Sequence, residues 1–343
     1  MRQKRQSIAF KEFRSFRRLV GGLANKRFLM ELDQVGRKTI SLKFKQFFTQ
    51  PLPPEIVWQA LPPKLMSGDP WVLGLDGKWL RKQGVVLVYR DVTHKQNLFQ
   101  SFWRSESYMA IGTDLPKLIK LLDGNLPSGV ISDWKGSIVA GVAMYFPGVP
   151  HQRCLAHVVR DAKRLLPKRS PFLATRVLRQ IALQLPYITT KKTKKGQTSL
   201  SKADWLAQLI RWEKRYGHLL IEKTIKTPNN AIKSDGKIRK QKKWWYTHGN
   251  LRRAWNLLTK DWNPFFTHLD HPFIPHSNNS LEGVNSQIKK RLSQHRGMKT
   301  LQQASFLFWY LVFTRTKTKQ DLKKLWGVWK QRKKDNLATV YYP

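Results

Sequence analysis

Cysteine is almost absent from this 343-residue chain: Cys154 stands alone. One thiol excludes an internal disulfide framework and a four-cysteine zinc site, and it accords with a reducing compartment. Acidic residues are scarce as well, 21 Asp and Glu against 64 Lys and Arg, for a formal charge of +43. A field of that size opposes compaction until a polyanion neutralises it. Nucleic acid is the natural partner, with phosphate contacts and counterion release supplying most of the affinity. An acidic membrane surface is the weaker alternative, because the basic residues are spread along the whole chain and no lipidation signal is present. Long apolar runs are missing too. The longest near the C-terminus, Phe306 to Phe313, is too short to span a bilayer, and the charge-broken basic N-terminus has no signal-peptide pattern. These features lead us to expect a cytoplasmic protein.

What is there suffices for a folded protein of two or three domains: 41% of residues are hydrophobic and 12% aromatic. Phe10, Phe13 and Phe16 have helical spacing within a basic first segment. Two further helical patterns, Arg27–Leu32 and Arg37–Phe48, flank Asp33-Gln-Val-Gly36. In the second, Ile40, Phe44 and Phe47 form an apolar face opposite Arg37, Lys38, Ser41 and Lys45. A short turn before a basic amphipathic helix predicts a helix-turn-helix-like DNA-binding region over residues 1–50; a plain helical hairpin with a solvated basic face is the alternative. Residues 51–70 hold six prolines and read as a linker.

Strand signals follow: Trp71–Leu75 running into Asp76-Gly77, then Val85–Tyr89 ending at Arg90-Asp91, then Asn97–Trp103. Short connections predict an antiparallel meander. A helix over Asp114–Leu122, a strand Gly129–Ser132 ending at Asp133, a helix over Ser137–Tyr145 and a short strand at 149–153 complete an α/β core with a mixed sheet. That element order is the one found in ribonuclease-H-like folds. Residues 155–275 read instead as an all-helical basic insertion. Between Lys191 and Trp245 there are 16 Lys or Arg against 4 Asp or Glu, with Lys-rich mobile loops expected at Thr189–Ser199 and Thr227–Lys243. Six of the chain's 14 tryptophans fall in the insertion, at 205, 212, 244, 245, 255 and 262. Most of them are expected in its core, and Trp244 or Trp245, beside Lys242, Lys243 and His248, is a candidate to stack on an unpaired base. Residues 276–343 return to the core and end in helices at 301–313 and 320–332.

Three acids stand at the edges of elements. Asp76 and Asp133 end apolar strands, and Glu282 lies in the first turn of a helix that Asn278, Asn279 or Ser280 can cap. A buried unpaired charge is costly, so strand-end carboxylates are aimed into an opening rather than a core. Clustered together they would repel and raise one another's pKa values unless divalent cations lay between them. Hard oxygen donors suit Mg²⁺ or Mn²⁺, and two such ions are the clamp of in-line phosphoryl displacement. The bland readings are a turn residue for Asp76, a helix cap for Asp133 and a favourable helix-dipole position for Glu282. Asp91, also at a strand end, is the rival acid. Cys154 and His157 are only half a zinc site and are read as structural residues near the acids. Lys289, Lys290, Arg291, His295 and Arg296 follow Glu282 as candidate phosphate contacts.

Asp133-Trp134, Pro150-His-Gln-Arg-Cys-Leu-Ala-His157 and Asn278-Asn-Ser-Leu-Glu-Gly-Val-Asn-Ser-Gln-Ile-Lys289 together resemble the DDE transposases of the bacterial insertion-sequence and Mutator-like type, over roughly residues 70–315. The resemblance implies a ribonuclease-H-like core interrupted by a helical insertion. It implies Asp76, Asp133 and Glu282 as catalytic residues and ligands of two Mg²⁺ or Mn²⁺ ions, with Cys154 and His157 as the Cys-x-x-His that follows the fifth strand. The implied reaction is cleavage at transposon ends and strand transfer into target DNA, by at least a dimer on DNA, nucleoid-associated if bacterial. Relatives often carry a zinc ribbon ahead of the helix-turn-helix; no cysteine precedes Cys154 here. A catalytically inactive DNA-binding derivative and a ribonuclease-H-like nuclease or resolvase are the alternatives.

Overall fold

Phe13 and Phe16, both fully buried, show what the N-terminal segment is for. The computed structural model describes residues 2–64, 70–80, 83–189, 200–225, 244–295 and 297–334, with side chains from Phe10 to Lys333. The chain divides into two units, residues 1–151 with 278–343, and residues 152–277. Among the described residues no helix is long and apolar enough to cross a membrane.

The first unit opens with α1 (Arg2–Val20), α2 (Lys26–Asp33) and α3 (Arg37–Thr49). Asn25 caps α2 by accepting a hydrogen bond from the Phe28 amide at 2.8 Å. Ile40, Phe44 and Phe47 are the buried face of α3, while Arg37, Lys38 and Lys45 are exposed. The turn departs from expectation in one detail. Gln34, at φ 50°, takes the left-handed position, whereas Gly36 is extended. The proline-rich stretch is not wholly extended either, since Pro54–Ala60 forms α4 with Pro54 at its first position.

The sheet has the order β3-β2-β1-β4-β5. Its strands are β1 (Val72–Trp79), β2 (Val85–Asp91), β3 (Gln96–Trp103), β4 (Gly129–Ser132) and β5 (His151–Arg153), with α5 (Tyr108–Leu122) and α6 (Gly136–Tyr145) between them. β1 pairs antiparallel with β2 from Leu73↔Asp91 to Trp79↔Val85. It pairs parallel with β4 only from Val72↔Gly129 to Leu75↔Ser132. β1 thus runs on past Leu75, where the sequence pattern ends it. Asp76, Gly77 and Lys78 have poor strand propensity, but the wholly buried β2 zips their backbone into the ladder. Leu73, Leu75, Leu87 and Tyr89 face a core shared with Ile111 and Leu115 of α5 and Ile138 and Val142 of α6.

α5 begins earlier than its pattern suggests, because Ser107 caps it onto the Ala110 amide at 3.2 Å. Pro116 inside it cannot donate to the Gly112 carbonyl; the Tyr145 hydroxyl does so instead at 3.1 Å. Asp114 pins α5 to the sheet. Its carboxylate accepts from the Tyr89 hydroxyl at 2.9 Å, the Trp103 indole at 3.2 Å and the Ser101 hydroxyl.

In the second unit α7 (Leu155–Leu165), α8 (Leu173–Gln184), α9 (Lys202–Tyr216), α10 (Gly249–Thr259) and the short α11 (Thr267–Asp270) surround their own core. Trp205, Trp212 and Trp255 are buried there. The Trp205 indole donates to the Ile181 carbonyl and the Trp212 indole to that of Ala174, both at 2.9 Å. The expectation of an all-helical insertion is corrected: β6 (Lys223–Ile225) and β7 (Trp244–Tyr246) form a small antiparallel sheet. Three residues each are too few for a period-2 signal to emerge. The loops expected to be mobile lie almost wholly outside the described residues.

The chain returns to the first unit with α12 (Asn279–Ser293), α13 (Thr300–Phe313) and α14 (Lys319–Lys334). Here the N-terminal aromatics find their partners. Phe16 stacks on Phe47 at 4.8 Å, Phe13 meets Trp309 at 5.5 Å, and Phe47 meets Trp329 at 4.7 Å. The Trp309 indole donates to the Phe47 carbonyl at 2.8 Å. Each such ring contributes about 2 kcal/mol or more by burial, so α1 and α3 are fixed to the C-terminal helices through a shared core.

Asp114 supplies a test of this packing. Burial pushes its carboxyl up to about 6 despite its three donors. The folded state therefore binds a proton more tightly than the unfolded chain, and stability falls as pH rises from about 4 to 6. Asp114→Asn should flatten that slope, by up to about 3 kcal/mol over the window. Denaturant midpoints of both proteins at pH 4, 5, 6 and 7 would show it; parallel profiles would refute it.

Candidate active site

The parallel pairing of β1 with β4 stops at Leu75↔Ser132. One residue further on lie Asp76, in a strand now paired on one side only, and Asp133, where β4 ends. Strand register alone therefore sets the two acids side by side. Asp76 is half-buried, and the Asp133 side chain is 11% exposed. Burial first, and then the Asp133 charge, push the Asp76 carboxyl up to about 7, although the Gly77 amide donates to Asp76 Oδ1 at 2.9 Å.

A third carboxylate, absent from the sequence-based set, joins them. Glu106, in the connection between β3 and α5, has a side chain only 3% exposed. A Cβ at residue 77 would lie 2.9 Å from each of its carboxylate oxygens, so glycine there makes the room. Burial raises the Glu106 pKa, and Lys135 restrains that rise. Lys135 Nζ pairs with Glu106 and lies 3.6 Å from Asp133. Burial alone would lower the Lys135 pKa, but Glu106 and Asp133 together raise it. Trp134 turns the chain between Asp133 and Lys135 at φ 68°, a left-handed conformation costly for a bulky residue. Its ring packs 4.6 Å from His151. His151, whose pKa burial lowers to about 4, is therefore neutral, and its Nε2 shares a 2.8 Å hydrogen bond with the Ser132 hydroxyl.

α12 approaches from the other strand face. Asn285 Nδ2 donates to Asp76 Oδ2 at 2.5 Å. Glu282 sits one turn earlier on the same helix face and is half-buried. Asn278, the residue before α12, makes no side-chain cap. Its amide instead covers Gly74, where a Cβ would lie 2.9 Å from Nδ2 and 2.6 Å from Val92 Cγ2. Arg90 Nε donates to the Ser280 hydroxyl at 2.8 Å, tying β2 to the first turn of α12. Asn278 and Asn285 thus grip β1 on either side of Glu282.

The rival acid is excluded as a site residue. Asp91 is fully buried, beside the start of β1 rather than its exposed end. It accepts from the His94 amide at 3.0 Å and pairs with the His94 ring at 2.7 Å. Cys154 and His157 belong to the second unit, both buried, at and just inside the start of α7. Trp244 and Trp245 are exposed by 39% and 43%, unlike the core tryptophans, and Lys223 Nζ lies 4.3 Å from the Trp244 ring. Lys289 and Lys290 are exposed. Arg291 is turned inward to the Gly22 carbonyl. Arg296, Lys242 and Lys243 lie outside the described residues. Sequence signals existed for two of the missed residues: Asn285 is three residues after Glu282, and Lys135 two after Asp133. Glu106 had none, because it follows a strand end without any pattern of its own.

No protein-family model matches this chain. Among curated proteins it is similar to a methylthioribose kinase of Enterobacter sp. (strain 638), at 32% identity over 141 residues. That stretch is 40% of this chain and 31% of the kinase, so the chain spans about a third of that relative's length.

Asp76, Asp133 and Glu106 present carboxylate oxygens, hard donors, at this edge of the sheet. Lys135 meanwhile supplies positive charge to the same acids. Lys135→Met should therefore lower the thermal midpoint by a few degrees in divalent-free buffer, and added Mn²⁺ should recover more of the midpoint than it adds to the unmodified protein. Differential scanning fluorimetry with and without Mn²⁺ measures both; equal midpoints in EDTA would show that Lys135 does not offset the acids.

Proposed function

We propose that the chain is a DDE-type transposase, cutting DNA at transposon ends and joining the ends to target DNA. The observation that carries this reading is the meeting of Asp76 and Asp133 where β1 outruns β4, with Glu282 of α12 on the helix face that binds Asp76. The strand order and the helical interruption after β5 support a ribonuclease-H-like core. The N-terminal helices, with α3 exposing Arg37, Lys38 and Lys45, support a DNA-binding role. A fold of this kind hosts many functions, so the function is read from the site.

On this reading Asp76, Asp133 and Glu282 hold the divalent ions. Divalent ions held there would supply activation of the attacking oxygen and stabilisation of the leaving one for an in-line displacement. Asn285 holds the Asp76 carboxylate by donating to Oδ2, leaving Oδ1 to the Gly77 amide. Glu106 anchors Lys135, which holds positive charge against Asp133. Surface Lys and Arg bind the phosphate backbone and do not by themselves read sequence. Two ends joined in one reaction imply at least a dimer on DNA.

The partial likeness to a methylthioribose kinase favours a second reading, phosphoryl transfer to a small molecule. Such a site needs a phosphate cradle, and the sequence contains neither G-x-G-x-x-G nor G-x-x-x-x-G-K-[ST]. Incubating the protein with Mg²⁺ or Mn²⁺, pre-cleaved element-end DNA and a plasmid target tests the first reading. Joined products are expected, falling to background in Asp133→Ala. Cleavage without joining would favour a nuclease. Tight binding without products at either metal would favour the inactive DNA-binding derivative. ATP-dependent phosphorylation of methylthioribose would favour the kinase.

A further inference from the structure

α3 and the connection that follows α12 line one cavity. It measures about 650 Å³ and lies within the first unit. Lys26 enters it from α2, Arg37, Lys38 and Lys45 from α3, and His295 from just beyond α12; no acidic residue is among its lining residues. Lys26 Nζ lies 3.5 Å from the Ser41 hydroxyl. Burial, then Arg37, lower the Lys26 pKa. Burial, then Lys26 and Arg291, lower that of His295. Packing like charges around one concavity opposes folding, and an anion placed among them would reverse the sign of that contribution.

We propose that this cavity binds a single backbone phosphate of duplex DNA and so fixes the duplex relative to the acid cluster. The proposal rests on the DNA-transposase reading and adds a location to it. Exposed lysines such as Lys289 and Lys290 can follow any polyanion. This cavity differs, because its cations come from two helices, α2 and α3, held by one core. Lys26 and His295 are half-buried by it, so their positions are set before DNA arrives. The link to the acids is equally rigid. α12 is continuous from Asn279 to Ser293, and at 1.5 Å per residue its end stands about 17 Å along from Glu282, with His295 in the turn that follows. That is less than one duplex turn, about 34 Å. A duplex seated in the cavity can therefore reach the acids within one turn.

The test measures binding of the full chain to a fluorescein-labelled 30-base-pair duplex, over a salt series, in Ca²⁺. The Lys26→Gln/Arg37→Gln double variant should bind about tenfold or more weakly, with a salt slope reduced by about one. A control pair on α5, Lys117→Gln/Lys120→Gln, should change affinity by less than about twofold. Methylphosphonate placed singly along one strand of the element-end duplex should weaken binding at one or two positions within a turn of the joined end, and those positions should be silent in the cavity variant. Circular dichroism melts establish that the variants fold, and His295→Gln, at a residue outside the helix cores, repeats the test if the double variant does not. Equal losses in cavity and control pairs would mean a diffuse field and overturn the proposal. Equal weakening on duplex RNA, or displacement of DNA by millimolar inorganic phosphate, would also overturn it, in favour of a general anion pocket. An unmodified protein that transfers strands while the cavity variant binds normally would remove this proposal alone. Failure of the unmodified protein to bind duplex DNA would remove the transposase reading with it.

Discussion

Four residues of parallel strand pairing decide where Asp76 and Asp133 meet. Val72 to Leu75 of β1 run beside Gly129 to Ser132 of β4, and then β4 ends while β1 continues. The break leaves Asp76 bonded to β2 on one flank and open on the other, with Asp133 alongside. Were β4 longer, Asp133 would lie inside the ladder; were β1 shorter, Asp76 would lie in a loop. Edges of this kind, at the C-terminal ends of strands, are where α/β sheets leave crevices. The two glycines of β1 serve the same end, since Gly74 admits the Asn278 amide and Gly77 the Glu106 carboxylate.

Concentrating carboxylates here goes against the electrostatics of burial, but not of the chain. With 64 basic residues, the protein's own field favours ionised acids anywhere. Yet Asp76 is pushed up to about 7, so local desolvation and the Asp133 charge outweigh that distant field. Short-range terms win because they act across a half-buried, poorly screened space, while exposed cations are screened within about 10 Å. Among the described residues Lys135 is the cation that pairs with these acids. Its tie to Glu106 makes it a fixed part of the cluster rather than a passing counterion.

Much of this was legible in the sequence. β4, α3 and the buried faces of α1 and α3 follow their periodicity closely, because an apolar stripe at helical or strand spacing has only one way to be buried. Asp76, Asp133 and Glu282 stood out because each lies at the edge of an element in a chain this basic. What escaped depended on partners distant in sequence. The C-terminal half of β1 is a strand because β2 holds it, and β6 and β7 are too short to announce themselves. Asp91 looked equivalent to Asp76 from its place at a strand end. Only the antiparallel register, which sets it opposite Leu73 and against His94, shows it to be a turn anchor. Glu106 is the extreme case, since nothing within ten residues of it hints that it faces Gly77.

The N-terminal helices show how such distant pairing couples separate readings. A helix-turn-helix-like segment suggests a module that could be moved or lost without harm to the rest. Here Phe13, Phe16 and Phe47 are instead buried with Trp309, Phe313 and Trp329, and α13, which carries Trp309 and Phe313, also follows the helix that holds Glu282. Removing α1 would expose the inner faces of α13 and α14, and with them the support of α12. The basic face of α3 and the acid cluster are therefore parts of one folded unit. Their spacing is a property of the core, fixed by aromatic packing rather than by a linker, and a duplex engaging α3 would meet the acids at a distance the protein has already set.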